Sequence, residues 1–206
     1  ASWISLFDVY ETRNSSVEVD IFDHLLVSDK DFTGYVWISK DYGQTWITRY
    51  IEFADKIVLT PTGTMLYLEF DYLRRQEYDS PVSEITVADS IVVPGDYPHF
   101  NGLIVLQNGN IILNTSTHFY ISYDDGQTWE VLPNYIRAPQ LLGKWSLADN
   151  SFFISRIGTC MSKTTDLGQT FTFSGAGMNR GDLHKLYIQS NTCWLAVAES
   201  GLLKTT

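Results

Sequence analysis

Short apolar runs separated by turn residues recur along the whole chain. The runs VWIS, IIL, FFIS and WLAVA have the length of β-strands, and turn-forming residues interrupt the sequence about every 8 to 12 positions. No stretch has apolar residues at helical spacing over the length of a helix. The pattern predicts an all-β chain, and since no linker or low-complexity tract divides it, a single domain over residues 1–206.

One eight-residue signature occurs three times, as SKDYGQTW at residues 39–46, SYDDGQTW at 122–129 and TTDLGQTF at 164–171. Its composition suits a tight turn between two antiparallel strands. The aspartate can accept hydrogen bonds from backbone N–H groups of its own turn, and the glycine supplies a positive φ. The aromatic residue begins the outgoing strand and can fold back over the turn. Structural roles are therefore expected for Asp41, Gly43, Trp46, Asp124, Gly126, Trp129, Asp166, Gly168 and Phe171.

The spacing of the signature indicates repeats of about 41 residues. Asp124 and Asp166 are 42 residues apart, whereas Asp41 and Asp124 are 83 apart, almost two such steps. Alignment of residues 57–70 with 104–116 places a degenerate copy near 77–84, where EYDSPVSE keeps the aspartate but lacks the glycine. A further copy begins at the C-terminus, where GLLKTT repeats the earlier CMSKTT.

The signature resembles the Asp-box, or BNR repeat, of sialidases, sortilin-type receptors and photosystem assembly factors. This resemblance implies a β-propeller of four-stranded antiparallel blades, in which the box marks the turn between the two outer strands, away from the ligand-binding face. Segment 2–7 (SWISLF) is similar to the strand that follows each signature. We therefore expect five blades, closed by pairing of this N-terminal strand with the C-terminal strands. The alternative is a fragment of a propeller with about six to eight blades.

Charge and composition narrow the range of partners. The formal net charge is −10, which argues against nucleic acid and anionic membranes, since both are bound through clustered basic residues. The basic doublet Arg74–Arg75 is interpreted as a solvated blade edge or a local ion pair. The apolar runs are far shorter than a membrane span, so no membrane insertion is predicted. Cys160 and Cys193 form either a disulfide between repeats or two buried thiols.

Residue patterns give a catalytic function little support. Sialidases with Asp-boxes use three arginines, a tyrosine nucleophile and an aspartate acid/base, and carry a Tyr/Phe-Arg-Ile-Pro motif ahead of their first box. The nearest counterpart here, YIRAP at 135–139, has an inserted residue and follows a signature. Other glycosidases need two carboxylates about 5 to 10 Å apart, and no such pair is singled out. Neither the histidines nor Asp124–Asp125 have the spacing of a metal site, so no metal, cofactor or catalytic residue is predicted.

The loops that the signatures do not occupy are the predicted binding surface. They are longer than the signature turns and rich in aromatic and polar residues, a mixture suited to stacking on sugars or to gripping a protein loop. The candidate binding residues are Tyr72, Tyr97, His118, Tyr135, Arg137, Arg156, Arg180 and Asp182.

Two functions from different classes follow from these observations. The first is a non-catalytic recognition or scaffold module that binds a glycan or a protein through its loop face. It would be extracellular, at the cell surface or in a virion, and could be a subunit of a larger assembly. The second is a sialidase-like glycoside hydrolase or a fragment of one. The first is favoured because the signatures are present whereas the sialidase residues are not recognisable.

Overall fold

The computed structural model describes residues 15–19, 23–29, 34–51, 54–69, 72–77, 86–87, 100–133, 139–142, 149–156, 159–173, 183–188, 194–198 and 201–204. Every regular element in these ranges is a β-strand, which confirms the all-β prediction. None of the described residues belongs to a helix long and apolar enough to cross a membrane.

The strands form five antiparallel sheets, each a meander of consecutive strands. Sheet 1 consists of β1 (Ser15–Val19), β2 (Leu25–Asp29), β3 (Tyr35–Ser39) and β4 (Ile47–Tyr50). Sheet 2 consists of β5 (Ala54–Leu59), β6 (Thr64–Glu69), β7 (Tyr72–Glu77) and β8 (Thr86–Val87). Sheet 3 consists of β9 (Phe100–Val105), β10 (Ile111–Thr115), β11 (Phe119–Ser122) and β12 (Glu130–Val131). Sheet 4 consists of β13 (Pro139–Leu142), β14 (Phe152–Arg156), β15 (Thr159–Thr164) and β16 (Thr172–Phe173). Sheet 5 contains β17 (Leu183–Ile188), β18 (Trp194–Ala198) and β19 (Gly201–Lys204).

The hydrophobic core lies between neighbouring sheets. Ile38 of sheet 1 and Met65 of sheet 2 belong to one buried cluster, and Leu66 of sheet 2 joins residues of sheet 3 in a second. A third cluster joins Phe119 of sheet 3 to Phe152 of sheet 4. The first strands β5, β9, β13 and β17 contact one another in that order. The sheets therefore pack in chain order, and the first strands of sheets 2 to 5 lie next to one another.

The strands of each sheet begin and end along two opposite sides of the sheet. We call these sides edges, meaning the ends of the strands and not the outermost strands. The turns between first and second strands and between third and fourth strands leave from one edge, which we call the upper edge. The second and fourth strands end, and the first and third strands begin, at the opposite edge, which we call the lower edge. At the upper edge the backbone N–H of Asn108 donates to Asn150 Oδ1 at 3.0 Å, which joins sheets 3 and 4 on the same side. The three signature turns (39–46, 122–129 and 164–171) all leave from the upper edge.

One network of hydrogen bonds closes each signature turn. In sheet 3 the buried Ser122 hydroxyl accepts from the backbone N–H of Gly126 at 2.8 Å and donates to Asp124 Oδ1 at 2.9 Å. Asp124 also accepts from the backbone N–H and the hydroxyl of Thr128, at 2.8 and 2.5 Å. The indole of Trp129 folds back and donates to the carbonyl of Gly126 at 3.2 Å. The same bonds recur in sheet 1 and, without the indole, in sheet 4.

Two consecutive residues of each turn have left-handed backbone angles. In sheet 3 they are Asp125 and Gly126, with φ of 62° and 82°. Tyr42 and Leu167, which correspond to Asp125 in the other two turns, have φ of 58° and 56°. The residue before the glycine is an aspartate, a tyrosine or a leucine, so its left-handed conformation cannot be recognised from the sequence.

The degenerate copy of the signature in sheet 2 begins one residue earlier than the sequence alignment indicates. The first hairpins of sheets 2 and 3 close with the same backbone hydrogen bond, which makes Met65 and Ile111 equivalent. Met65 pairs with Gln76, and Ile111 pairs with Ser122. Gln76, and not Glu77, therefore holds the first signature position of sheet 2. The part of this copy that follows Glu77 lies outside the described residues.

The hydrogen bonds of the turns lower the pKa of the signature aspartates. The hydroxyl and the backbone N–H of Thr45 lower the pKa of Asp41 from 3.8 to about 2. Thr170 shifts the pKa of Asp166 in the same direction. Burial alone would raise the pKa of Asp124, but the hydrogen bonds that it accepts outweigh burial and lower it.

We expect these turns to make the protein less stable as the pH falls from about 4 to about 2. A carboxylate whose pKa is lower in the folded chain stabilises the fold fully above its unfolded pKa. That contribution is lost as the pH falls through the folded pKa, which is about 2 for Asp41. Thermal denaturation at pH about 4.5, 3.5 and 2.5 measures the loss. The Asp41→Asn variant, which cannot titrate there, should lose less stability than the parent; identical losses would contradict the assignment.

Candidate functional site

A polar cluster at the upper edge ties the signature turn of sheet 3 to sheet 2. The carboxylate of Asp125 accepts a hydrogen bond from the Thr64 hydroxyl, and Arg75 Nε donates to the backbone carbonyl of Asp125 at 3.0 Å. The Arg75 guanidinium lies 2.8 Å from Glu77 Oε1 and 3.6 Å from Asp125 Oδ2. Arg75 therefore takes part in a local ion pair, one of the two interpretations of the basic doublet.

The carboxylate of Asp125 is fully engaged within this cluster. Burial alone would raise its pKa, but the hydroxyls of three threonines on the first hairpin of sheet 2 and the charge of Arg75 outweigh burial and lower it. In the described part of the chain, no group of three or more His, Cys, Asp or Glu side chains is placed to hold a metal ion. This cluster holds sheets 2 and 3 together at the upper edge.

The predicted binding residues fall at or near the lower edge where the structure describes them. Tyr72 begins β7, His118 immediately precedes β11 and Arg156 ends β14, which places all three at this edge. The other predicted binding residues lie outside the described residues, in the segments that join one sheet to the next: Tyr97, Tyr135, Arg137, Arg180 and Asp182.

Tyr72 and His118 hold the same position in the repeat, and Tyr35 shares it. Each residue lies four positions before the first signature position of its sheet, as the pairing of the second and third strands shows. Tyr35, which begins β3 as Tyr72 begins β7, was not among the binding residues predicted from the sequence. Counting back four residues from each signature would have found it.

Each of these rings packs on the side chain two positions later, on the same face of the strand. The pairs are Tyr35–Trp37, with ring centroids 6.0 Å apart, Tyr72–Arg74, with the guanidinium carbon 5.1 Å from the ring centroid, and His118–Tyr120, with ring centroids 6.4 Å apart. Three neighbouring sheets therefore repeat one arrangement at the lower edge.

The tyrosines at this position are open to solvent. Tyr72 is 54% exposed and Tyr35 is 44% exposed. Tyr50, which pairs with Tyr35 across β3 and β4, is 49% exposed, and the two rings meet edge to face with centroids 5.5 Å apart. His118 is half-buried, with Nδ1 lying 2.9 Å from the Thr117 hydroxyl. We call the set of Tyr35, Tyr50, Tyr72 and His118 the aromatic edge.

Solved structures with the same arrangement of sheets identify the architecture. The chain is similar to YCF48 bound to D1 peptide, with a TM-score of 0.70 and 13% identity over 97% of this chain and 66% of that one. It is similar to YCF48 from Cyanidioschyzon merolae, with a TM-score of 0.61 and 12% identity over 88% of this chain and 63% of that one. A third is the extracellular domain of the putative one component system BT4673 from B. thetaiotaomicron, with a TM-score of 0.63 and 11% identity over 91% of this chain and 27% of that one. These proteins are β-propellers.

The chain is a β-propeller. Its sheets are the blades, and each signature turn joins the third and fourth strands of a blade, as the resemblance implied. The N-terminal strand that is predicted to complete the fifth blade lies outside the described residues, so the number of blades and the closure of the ring stay predictions.

At these low identities the likeness shows the fold alone. The chain spans 66% and 63% of the two YCF48 chains, slightly less than two thirds of each. Neither a protein-family model nor a curated protein matches the sequence.

Proposed function

We propose that this propeller is a non-catalytic recognition or scaffold module that binds an extended segment of a partner protein at its lower edge. The observation that carries the proposal is the aromatic edge, where three neighbouring blades present a ring at one repeat position. Exposed tyrosines supply a large, rigid contact surface at a small cost in conformational entropy, and for this reason they are enriched at binding sites.

A protein segment fits this surface better than a glycan does. The rings follow one edge from blade to blade, which suits a ligand that crosses several blades in an extended conformation. The solved structure of YCF48 with a D1 peptide supports a peptide ligand for this fold. Membership of a larger assembly and an extracellular location are part of the proposal, and the extracellular domain among the solved relatives supports the location.

The aspartates of the signature turns do not have the properties of a glycosidase acid. A glycosidase acid needs a raised pKa. Among the described residues, the carboxyl groups whose pKa departs from its ordinary value are all shifted downwards. They are therefore ionised at neutral pH, and those of the signature turns lie at the opposite edge from the aromatic edge.

Substitution of one exposed tyrosine at each edge tests the proposal. An array of extended peptides is probed beside a glycan array, and the same glycans are screened for hydrolysis. Peptide affinity should fall about 10-fold in Tyr72→Ser, because a central aromatic anchor contributes about 1 to 2 kcal/mol. The matched control is Tyr123→Ser, since Tyr123 is 56% exposed on the upper edge. This variant should bind the peptide with the affinity of the parent protein.

Three results would contradict the proposed function. Turnover of any glycoside would make the protein an enzyme. Binding to glycans without binding to peptides would change the class of ligand. An equal loss of affinity in Tyr72→Ser and Tyr123→Ser would show that the lower edge is not the binding surface.

A further inference from the structure

We propose that Tyr35 and Tyr50 of blade 1 form a site for a lysine or arginine side chain, and that the partner segment is therefore basic. This inference rests on the proposed function and adds the chemistry of the partner. It also assigns a role to two residues that the loop pattern of the sequence did not single out.

Blade 2 shows that a tyrosine at this repeat position can hold a cation. The guanidinium of Arg74 lies over the ring of Tyr72 with its carbon 5.1 Å from the centroid, within the range of a cation–π contact. The residue equivalent to Arg74 in blade 1 is Trp37, because the two hold the same register position. Blade 1 thus has a tyrosine at the same position of the lower edge, but the indole of Trp37 takes the place of the guanidinium of Arg74.

The two tyrosines of blade 1 form an open aromatic corner. Their planes meet at 72° with centroids 5.5 Å apart, and the rings are 44% and 49% exposed. Arg49, which precedes Tyr50, pairs with Val36 and so lies on the opposite face of the sheet. A cation supplied by a partner can therefore reach the faces of Tyr35 and Tyr50.

The charge of the protein selects a basic partner over an acidic one. The formal net charge of −10 attracts cationic segments at long range and repels acidic ones. In the sequence, residues 29–34, which precede Tyr35, and residues 51–56, which follow Tyr50, contain four acidic and two basic residues.

The experiment measures binding of labelled peptides by fluorescence polarisation. The probe alternates arginine with glycine, and its matched control has citrulline in place of arginine, which keeps the shape of the side chain and removes its charge. We expect the arginine peptide to bind the parent protein, and the citrulline peptide to bind about 10-fold more weakly or not at all. This comparison uses the unmodified protein and so does not depend on the folding of a variant.

Substitutions then locate the site. The Tyr35→Leu/Tyr50→Leu double variant should lose about 5- to 30-fold in affinity for the arginine peptide, whereas Tyr35→Phe/Tyr50→Phe, which keeps both ring faces, should stay within about 3-fold. Tyr42→Leu/Tyr123→Leu is the control, since these tyrosines are exposed on the upper edge. It should bind like the parent protein.

The outcomes separate this inference from the proposed function. If peptides bind in a manner that depends on Tyr72 but the arginine and citrulline peptides bind equally, the proposed function stands and the basic partner is wrong. Equal losses in the lower-edge and upper-edge leucine variants would also overturn the site. If no peptide of any composition binds, both proposals fail.

Discussion

Replacement of Gly126 by alanine is expected to lower the free energy of unfolding by about 3 kcal/mol, from backbone strain and overpacking together. Gly126 has a φ of +82°, where a side chain is disfavoured by about 1 to 2 kcal/mol. An added Cβ would also lie 2.9 Å from Leu66 Cδ2. Leu66 is fully buried between blades 2 and 3, so the methyl group would force this core apart.

Gly168 provides the matched control because it holds the same position in the turn of blade 4. Its φ is +86°, but an added Cβ would be 3.4 Å from the nearest atom, Leu132 Cδ1, a far looser contact. Gly168→Ala should therefore cost only the backbone strain, about 1 to 2 kcal/mol. Urea denaturation followed by tryptophan fluorescence measures both variants. Equal losses would show that the approach of the turn to Leu66 has no energetic consequence.

The second large effect is expected on replacing Ser122 with alanine, at about 2 to 3 kcal/mol. Its hydroxyl is buried and satisfies the N–H of Gly126 while it donates to Asp124. Alanine would leave that N–H buried without an acceptor, which costs about 1 to 3 kcal/mol, and would release the aspartate from one of its bonds.

The chain itself supplies the control for this substitution. Thr164 holds the same position in blade 4 and makes the same bonds, at 2.8 Å to both Gly168 N and Asp166 Oδ1. Ser122→Thr should therefore retain most of the stability in the same urea titration. If Ser122→Thr were as unstable as Ser122→Ala, the loss would not come from the hydroxyl.

The sequence predicted the strands and the signature turns well because both depend on local chemistry. Short apolar runs separated by turn residues identify strands, and the pattern of aspartate and glycine identifies the turn without knowledge of distant contacts. The degenerate copy shows the limit of this reasoning. Its first position is Gln76 and not Glu77, because Gln76 pairs with Met65 in the sheet. This pairing is set by the assembled sheet and cannot be inferred from the sequence of the segment alone.

The candidate site was only partly predictable for a similar reason. Tyr72 and His118 were proposed because they lie beside turn residues, but their shared repeat position emerges only from the pairing of strands. Tyr35 and Tyr50 read as ordinary strand residues. Their exposure depends on their place at the end of each strand and on the face they occupy, which is a property of the assembled sheet.

Footprinting of the exposed tyrosines tests the central claim, that ligands bind at the lower edge, most directly. Hydroxyl-radical oxidation is measured for each tyrosine with and without the peptide that binds best on the array. Binding at the aromatic edge predicts that Tyr35, Tyr50 and Tyr72 become protected, while Tyr42 and Tyr123 at the upper edge react as before. Protection of Tyr42 and Tyr123 with no change at the lower edge would contradict the account.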